Sequence, residues 1–233
     1  RLAQGRRHEV HYFHQVDDPY SALTAQCLAR LVHRYDLELV PHLVGPPPDS
    51  AAPERERLVA YSRRDAALLA AQAGLEFTDR GHQPHPDHVQ RAGVVLALAL
   101  ARGQFLDQVD EVSRQLWSGA MADVQASGDA GVYRTQLEAG NRLRARLGHY
   151  LGAMFYCAGE WYWGIDRLYH LEQRLQAAGV QRTGTQGVMF DLRDKPAGVA
   201  RADSAAAIDF FFSFRSPYSA IVARRVFELG RAT

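Results

Sequence analysis

Residues 11–22 read HYFHQVDDPYSA and residues 209–220 read DFFFSFRSPYSA. Each is an apolar run closed by a charged residue, then a Pro-Tyr-Ser-Ala turn that opens into a helical pattern. The chain therefore starts a strand-turn-helix unit twice, 198 residues apart (216 minus 18). The residue ahead of the proline differs, Asp18 in the first turn and Ser216 in the second. The repeat bears on the fold, and the difference bears on the chemistry.

Outward from the first turn, residues 8–16 (HEVHYFHQV) mix Val, Tyr and Phe and stop at Asp17-Asp18-Pro19, a strand with a hard end. From Tyr20 the apolar positions Leu23, Cys27, Leu28, Leu31 and Tyr35 recur at threes and fours, the period of an amphipathic helix. Asp18 stands where it can cap that helix, with Pro19 in its first turn. Residues 37–45 (LELVPHLVG) read as a second strand, so the opening is a strand-helix-strand unit with a right-handed crossover.

About a hundred residues of helical pattern follow, with helices expected over 54–73, 86–102, 105–118 and 133–147. Strand character returns at 153–159, residues 159–164 (GEWYWG) point to a tight hairpin, and 166–179 close with a helix. These elements define a mixed α/β domain over 1–179. Residues 180–206, rich in Gly, Ala and charge, read as a linker. Residues 208–214 (IDFFFSF) then read as a strand covered on both faces, and a helix starts at Pro217. One strand and one helix hold no core, so 207–233 are expected to open a second module, truncated here, or to dock elsewhere.

Composition is that of an ordinary globular chain: 233 residues, 47% hydrophobic, 23% charged, net charge +1. No bulk field draws in nucleic acid or a membrane surface. The greasiest run, 93–101 (GVVLALALA), is half the length a membrane span needs, roughly 18 residues, and reads as a buried helix. Two distant cysteines, Cys27 and Cys157, form no CxxC pair and favour a cytoplasmic setting.

The x-P-Y-S turn, the long helical insertion and residues 163–175 (WGIDRLYHLEQRL) together resemble the DsbA-like thioredoxin-fold group. That group includes DsbA, kappa-class glutathione transferases and 2-hydroxychromene-2-carboxylate isomerases, and the chain looks closest to the last two. The likeness runs over about 8–179 and restarts at 207 as a partial second copy. It implies a thioredoxin-like mixed sheet with a large helical insertion between the second and third strands. It also implies chemistry at a helix N-terminus, where DsbA activates a thiolate and glutathione-using relatives place a serine that donates to the glutathione thiolate. Glutathione is the cofactor this implies, with Asp166-Arg167 as the clamp on its γ-glutamyl end and Met154 at the position of the family's cis-proline.

The first turn departs from that pattern. Asp18, Pro19, Tyr20 and Ser21 hold no thiol, so disulfide exchange has no nucleophile there, and an ionised Asp18 repels a thiolate. The G-x-P start of the third strand reads Gly152-Ala153-Met154, where a trans peptide is expected. Ser216 keeps the serine and is the catalytic candidate in an intact protein, although it equally suits a plain helix cap. Arg215 beside it reads as an exposed strand-end arginine.

His8, His11 and His14 alternate faces on a strand and cannot converge. His82, His85 and His88 stand in a loop entering a helix, which is read as structural; no metal is expected. Trp161, Tyr162 and Trp163 suit cross-strand packing or the wall of an aromatic pocket.

Two functions remain. One is a glutathione-dependent isomerase or transferase, acting on a small aromatic substrate through Ser216. The other is a thioredoxin-fold scaffold or binding module without catalysis. A thiol-disulfide oxidoreductase fits the fold but lacks the cysteines. Family members often pair, so a homodimer or an intrachain pairing of the two copies is expected.

Overall fold

A computed structural model describes residues 8–123, 130–184, 187–191, 207–214 and 216–232. The chain divides into two compact units, residues 1–192 and 193–233.

The first unit opens with β1 (His8–Gln15), α1 (Pro19–Arg34) and β2 (Leu37–Val44). β1 and β2 pair in parallel from His8↔Leu37 to Gln15↔Val44, as the crossover pattern predicts. Four helices follow: α2 (Arg55–Ala73), α3 (Pro86–Ala101), α4 (Phe105–Ser118) and α5 (Ala130–Arg146). Then come β3 (Met154–Cys157), β4 (Glu160–Trp163) and α6 (Leu168–Ala177). The sheet order is β2-β1-β3-β4, with β3 antiparallel to both neighbours.

The hairpin lies slightly earlier than the pattern indicated. Ala158 and Gly159 both take positive φ (47° and 93°), the two-residue turn whose twist matches paired strands, so β4 starts at Glu160.

Alternation along β1 builds two cores. Val10 and Tyr12 face a large cluster with Leu23, Leu28 and Leu31 of α1, Leu96 of α3 and Val109 of α4. Phe13 faces the other way, with Val44 and Met154, under Leu143, Leu147 and Trp161. Residues 93–101 lie within α3, where Val94, Leu96 and Ala97 are buried in the domain. Among the described residues no helix is long and apolar enough to cross a membrane.

Two expectations change. The first unit does not end at 179. Val180, Met189 and Phe190 are buried in its main core. The fully buried Glu172 accepts hydrogen bonds from the Met189 N–H (2.8 Å) and the Tyr35 hydroxyl (3.1 Å). The short apolar patch in the expected linker is thus core, and of the rest of that linker residues 185, 186 and 192–206 lie outside the described residues.

In the second unit α7 (Pro217–Ala232) forms as predicted, but residues 208–214 form no strand. Phe211 and Phe214 are 89% and 96% exposed, not covered on both faces. An apolar run becomes a strand only beside a neighbour that takes its backbone hydrogen bonds. Among the described residues, 208–214 pair with none.

Candidate functional site

The turn between β1 and α1 is held by two side chains. Asp18, extended at φ −97° and ψ 123°, caps α1 by accepting from the Ser21 N–H at 2.9 Å. Ser21, wholly buried, donates its hydroxyl to the same Asp18 oxygen (2.8 Å). Its Oγ also accepts from the N–H groups of Gln15 (3.2 Å) and Ala153 (3.0 Å). One hydroxyl therefore ties together the end of β1, the start of α1 and the entry to β3. The sequence marked Ser21 only as a cysteine replaced; its role as a three-way tie depends on Ala153, 132 residues away.

Gly152 makes the junction tight. A Cβ there would sit 2.6 Å from Gln15 Cβ and 3.3 Å from Asp18 Oδ2, so only glycine lets the two strands' ends meet at the turn. No peptide among the described residues is cis. Ala153 instead takes a left-handed φ of 53°. Its N–H goes to Ser21 and its carbonyl accepts from the Gly164 N–H at 2.9 Å.

Asp18 opens onto a cavity of about 540 Å³. Its floor is Gln15, Asp17, Asp18, Pro19 and Tyr20; Pro46, Pro47 and Arg55 flank it. Leu58 and Tyr61 of α2, Tyr150 before β3 and Trp163 of β4 supply apolar walls, and each is 38–56% exposed. Trp163 stands edge-on to Tyr20, with ring centroids 5.1 Å apart. Tyr20 donates its hydroxyl to Asp65 at 2.8 Å. Burial raises the Tyr20 phenol far above its ordinary value, and Asp65 adds to that. Burial likewise pushes the Asp18 carboxyl up to about 6, with the Asp17 charge helping and the Ser21 hydrogen bonds opposing.

The candidate residues separate. Asp18, Pro19, Tyr20 and Trp163 gather at the cavity. Trp161 and Tyr162 do not: Trp161 packs on Phe13 and Tyr156, and Tyr162 is buried and donates to Glu160. Asp166 and Arg167 lie outside the cavity lining and pair with one another at 3.6 Å. Met154 is buried in the smaller core, its backbone paired with Phe13 and Trp163. Cys27 and Cys157 are both buried and neither is in a disulfide, and burial pushes the Cys27 thiol up to about 12. Among the described residues no group of three His, Cys, Asp or Glu is placed to hold a metal, and His85 instead caps α3 by accepting from the Asp87 N–H.

The second turn repeats four of the first turn's hydrogen bonds. Ser219 N–H donates to Ser216 Oγ (3.4 Å) as Ser21 N–H does to Asp18. Ser213 N–H donates to Ser219 Oγ at 3.2 Å, the distance from Gln15 N–H to Ser21 Oγ. Ser216 N–H and Ala220 N–H reach the carbonyls of Ser213 and Ser216, matching Asp18 to Gln15 and Ala22 to Asp18.

A parallel β-α-β start, a helical insertion and an antiparallel hairpin closed by a helix make a thioredoxin-like α/β fold of the DsbA type. A solved 2-hydroxychromene-2-carboxylate isomerase matches this chain with a TM-score of 0.55 at 15% identity, covering 73% of this chain and 96% of its own. The cytosolic disulfide reductase DsbM from Pseudomonas aeruginosa matches with a TM-score of 0.49 at 17% identity, covering 72% and 99%. No family model and no curated protein matches the sequence.

Proposed function

We propose that the first unit is a binding module on the thioredoxin-like fold, with no thiol in its turn, taking a small aromatic molecule in the cavity before Asp18. One observation carries the reading: the helix N-terminus holds a carboxylate capped by its own serine and faces four half-exposed apolar side chains around about 540 Å³. That volume suits a small organic ligand. Four half-exposed large apolar groups around one concavity are unusual for a surface with nothing to bind.

Glutathione is disfavoured in this site. The Ala153 N–H and C=O, which would read a peptide-like ligand, are both used internally. The clamp pair Asp166-Arg167 is not part of the cavity lining, and Asp17 and Asp18 repel an anion. Titration calorimetry with naphthol tests the reading. Saturable binding is expected, at least tenfold weaker in Tyr61→Ala, with no heat from millimolar glutathione. Glutathione binding without naphthol binding would reverse the assignment.

A second reading belongs to Ser216, favoured by the matched capping bonds of its turn. There the serine hydroxyl, held by the Ser219 N–H, would donate to a glutathione thiolate and favour its ionised form. In the intact protein the ultraviolet thiolate absorbance of bound glutathione is expected to appear and to vanish in Ser216→Ala. Equal absorbance in both proteins removes the proposal.

A further inference from the structure

The cavity's polar groups are unevenly spent, and the imbalance specifies a ligand. Three of its donor side chains already have partners. The Arg55 guanidinium bonds the Pro47 carbonyl and Asp49, both at 2.7 Å. Tyr20 gives its hydroxyl to Asp65, and the Gln15 amide gives an N–H to Asp17 at 3.0 Å. Acceptors remain. Among the described residues no Arg, Lys or His forms an ion pair with Asp17 or Asp18. The Gln83 side chain, anchored by its amide N–H on the Asp17 carbonyl (3.1 Å), lines the cavity, and its buried Oε1 has no partner.

We infer that the cavity takes an organic ammonium ion with a flat apolar body, its N–H groups on Asp18 and Gln83 and its body against Tyr61, Tyr150 and Trp163. This rests on the binding reading above and names the ligand class of that same site. Charge, hydrogen bonding and aromatic walls point the same way. A carboxylate without a cationic partner attracts a cation more strongly in a partly desolvated site than in water. Two tyrosines and a tryptophan line the same cavity and supply apolar area for a flat body beside the charge. The helix dipole at this position would otherwise favour an anion, but Asp18 already occupies the α1 N-terminus and accepts from its Ser21 N–H. The raised Asp18 carboxyl accords with an anion that lacks its counter-ion.

Three probes with one aromatic body test this by calorimetry near neutral pH: naphthylmethylammonium, neutral naphthol and naphthoate. The cation is expected to bind roughly tenfold or more tighter than naphthol, and naphthoate more weakly than naphthol. In Asp18→Asn, which keeps the helix cap, the preference for the cation is expected to fall to near parity; Gln83→Leu should weaken the cation but not naphthol. If naphthol binds and the cation gains nothing over it, the ammonium assignment fails while the binding reading stands. Naphthoate binding as tightly as the cation, or a preference unchanged in both variants, also overturns the assignment. No binding by any probe overturns both.

Discussion

Asp18 shows how one residue can be legible as structure and illegible as chemistry. Its place before Pro19 announces a helix cap, and the structure uses it so. From sequence it is an ordinary ionised carboxylate; in the fold, burial lifts it to about 6. The sign follows from linkage. The folded value lies above the ordinary 3.8, so the native state holds the proton more tightly. The resulting stabilisation is full below pH 3.8 and is lost as pH rises through about 6. Asp18→Asn keeps a good cap acceptor and removes the charge. It is expected to be more stable than the parent by about 1–3 kcal/mol at pH near 8, an advantage absent near pH 4, by urea unfolding. An advantage independent of pH would show that Asp18 is not the titrating group. Ser21 makes the opposite case. Ser21→Ala strands two buried N–H groups, of Gln15 and Ala153, and is expected to cost about 2–4 kcal/mol. A loss below about 1 kcal/mol would mean that water or a shifted backbone replaces the hydroxyl.

At the scale of elements, the sequence shows which face of a helix is apolar but not what covers it. α1 and α7 carry the same stripe: Tyr20, Leu23 and Leu31 correspond to Tyr218, Ile221 and Leu229. The first three are buried, while their counterparts are 79%, 69% and 48% exposed. Period fixes the helix; burial requires a partner the local pattern does not name. The same limit hid the cavity walls, since Leu58 and Tyr61 come from α2 and Tyr150 from the approach to β3, all remote from Asp18 in sequence. It also hid the packing of residues 187–191 against α6, where a buried carboxylate joins the apolar contacts of Met189 and Phe190. Glu172 reads as one polar residue in an amphipathic helix, yet it receives the Met189 N–H, the Tyr35 hydroxyl and, at 3.5 Å, the Arg34 guanidinium. Glu172→Ala is expected to destabilise the first unit by about 2–4 kcal/mol and to speed amide exchange at Met189 far more than at β1. Unchanged exchange at Met189 would show that Met189 and Phe190 hold by apolar burial alone.

At the scale of the whole molecule, the fold and its site separate. The topology places the α1 N-terminus at the floor of the cavity, and the chain puts its sulfur elsewhere. Cys27 lies on the buried face of α1, beyond the site by more than two turns, with its thiol S–H donated to the Leu23 carbonyl at 3.6 Å. Cys157 ends β3, also buried. A thiol attacks a disulfide only as an exposed thiolate, and burial that lifts Cys27 to about 12 leaves almost none at neutral pH. In the native protein, Ellman's reagent is therefore expected to react with neither cysteine on the timescale of minutes, and with both once urea unfolds the chain. Reduction of insulin by dithiothreitol should proceed at the same rate with or without the protein. A fast-reacting thiol in the native state would mean that the first unit opens readily around α1, and the carboxylate turn would then no longer define the chemistry available to it.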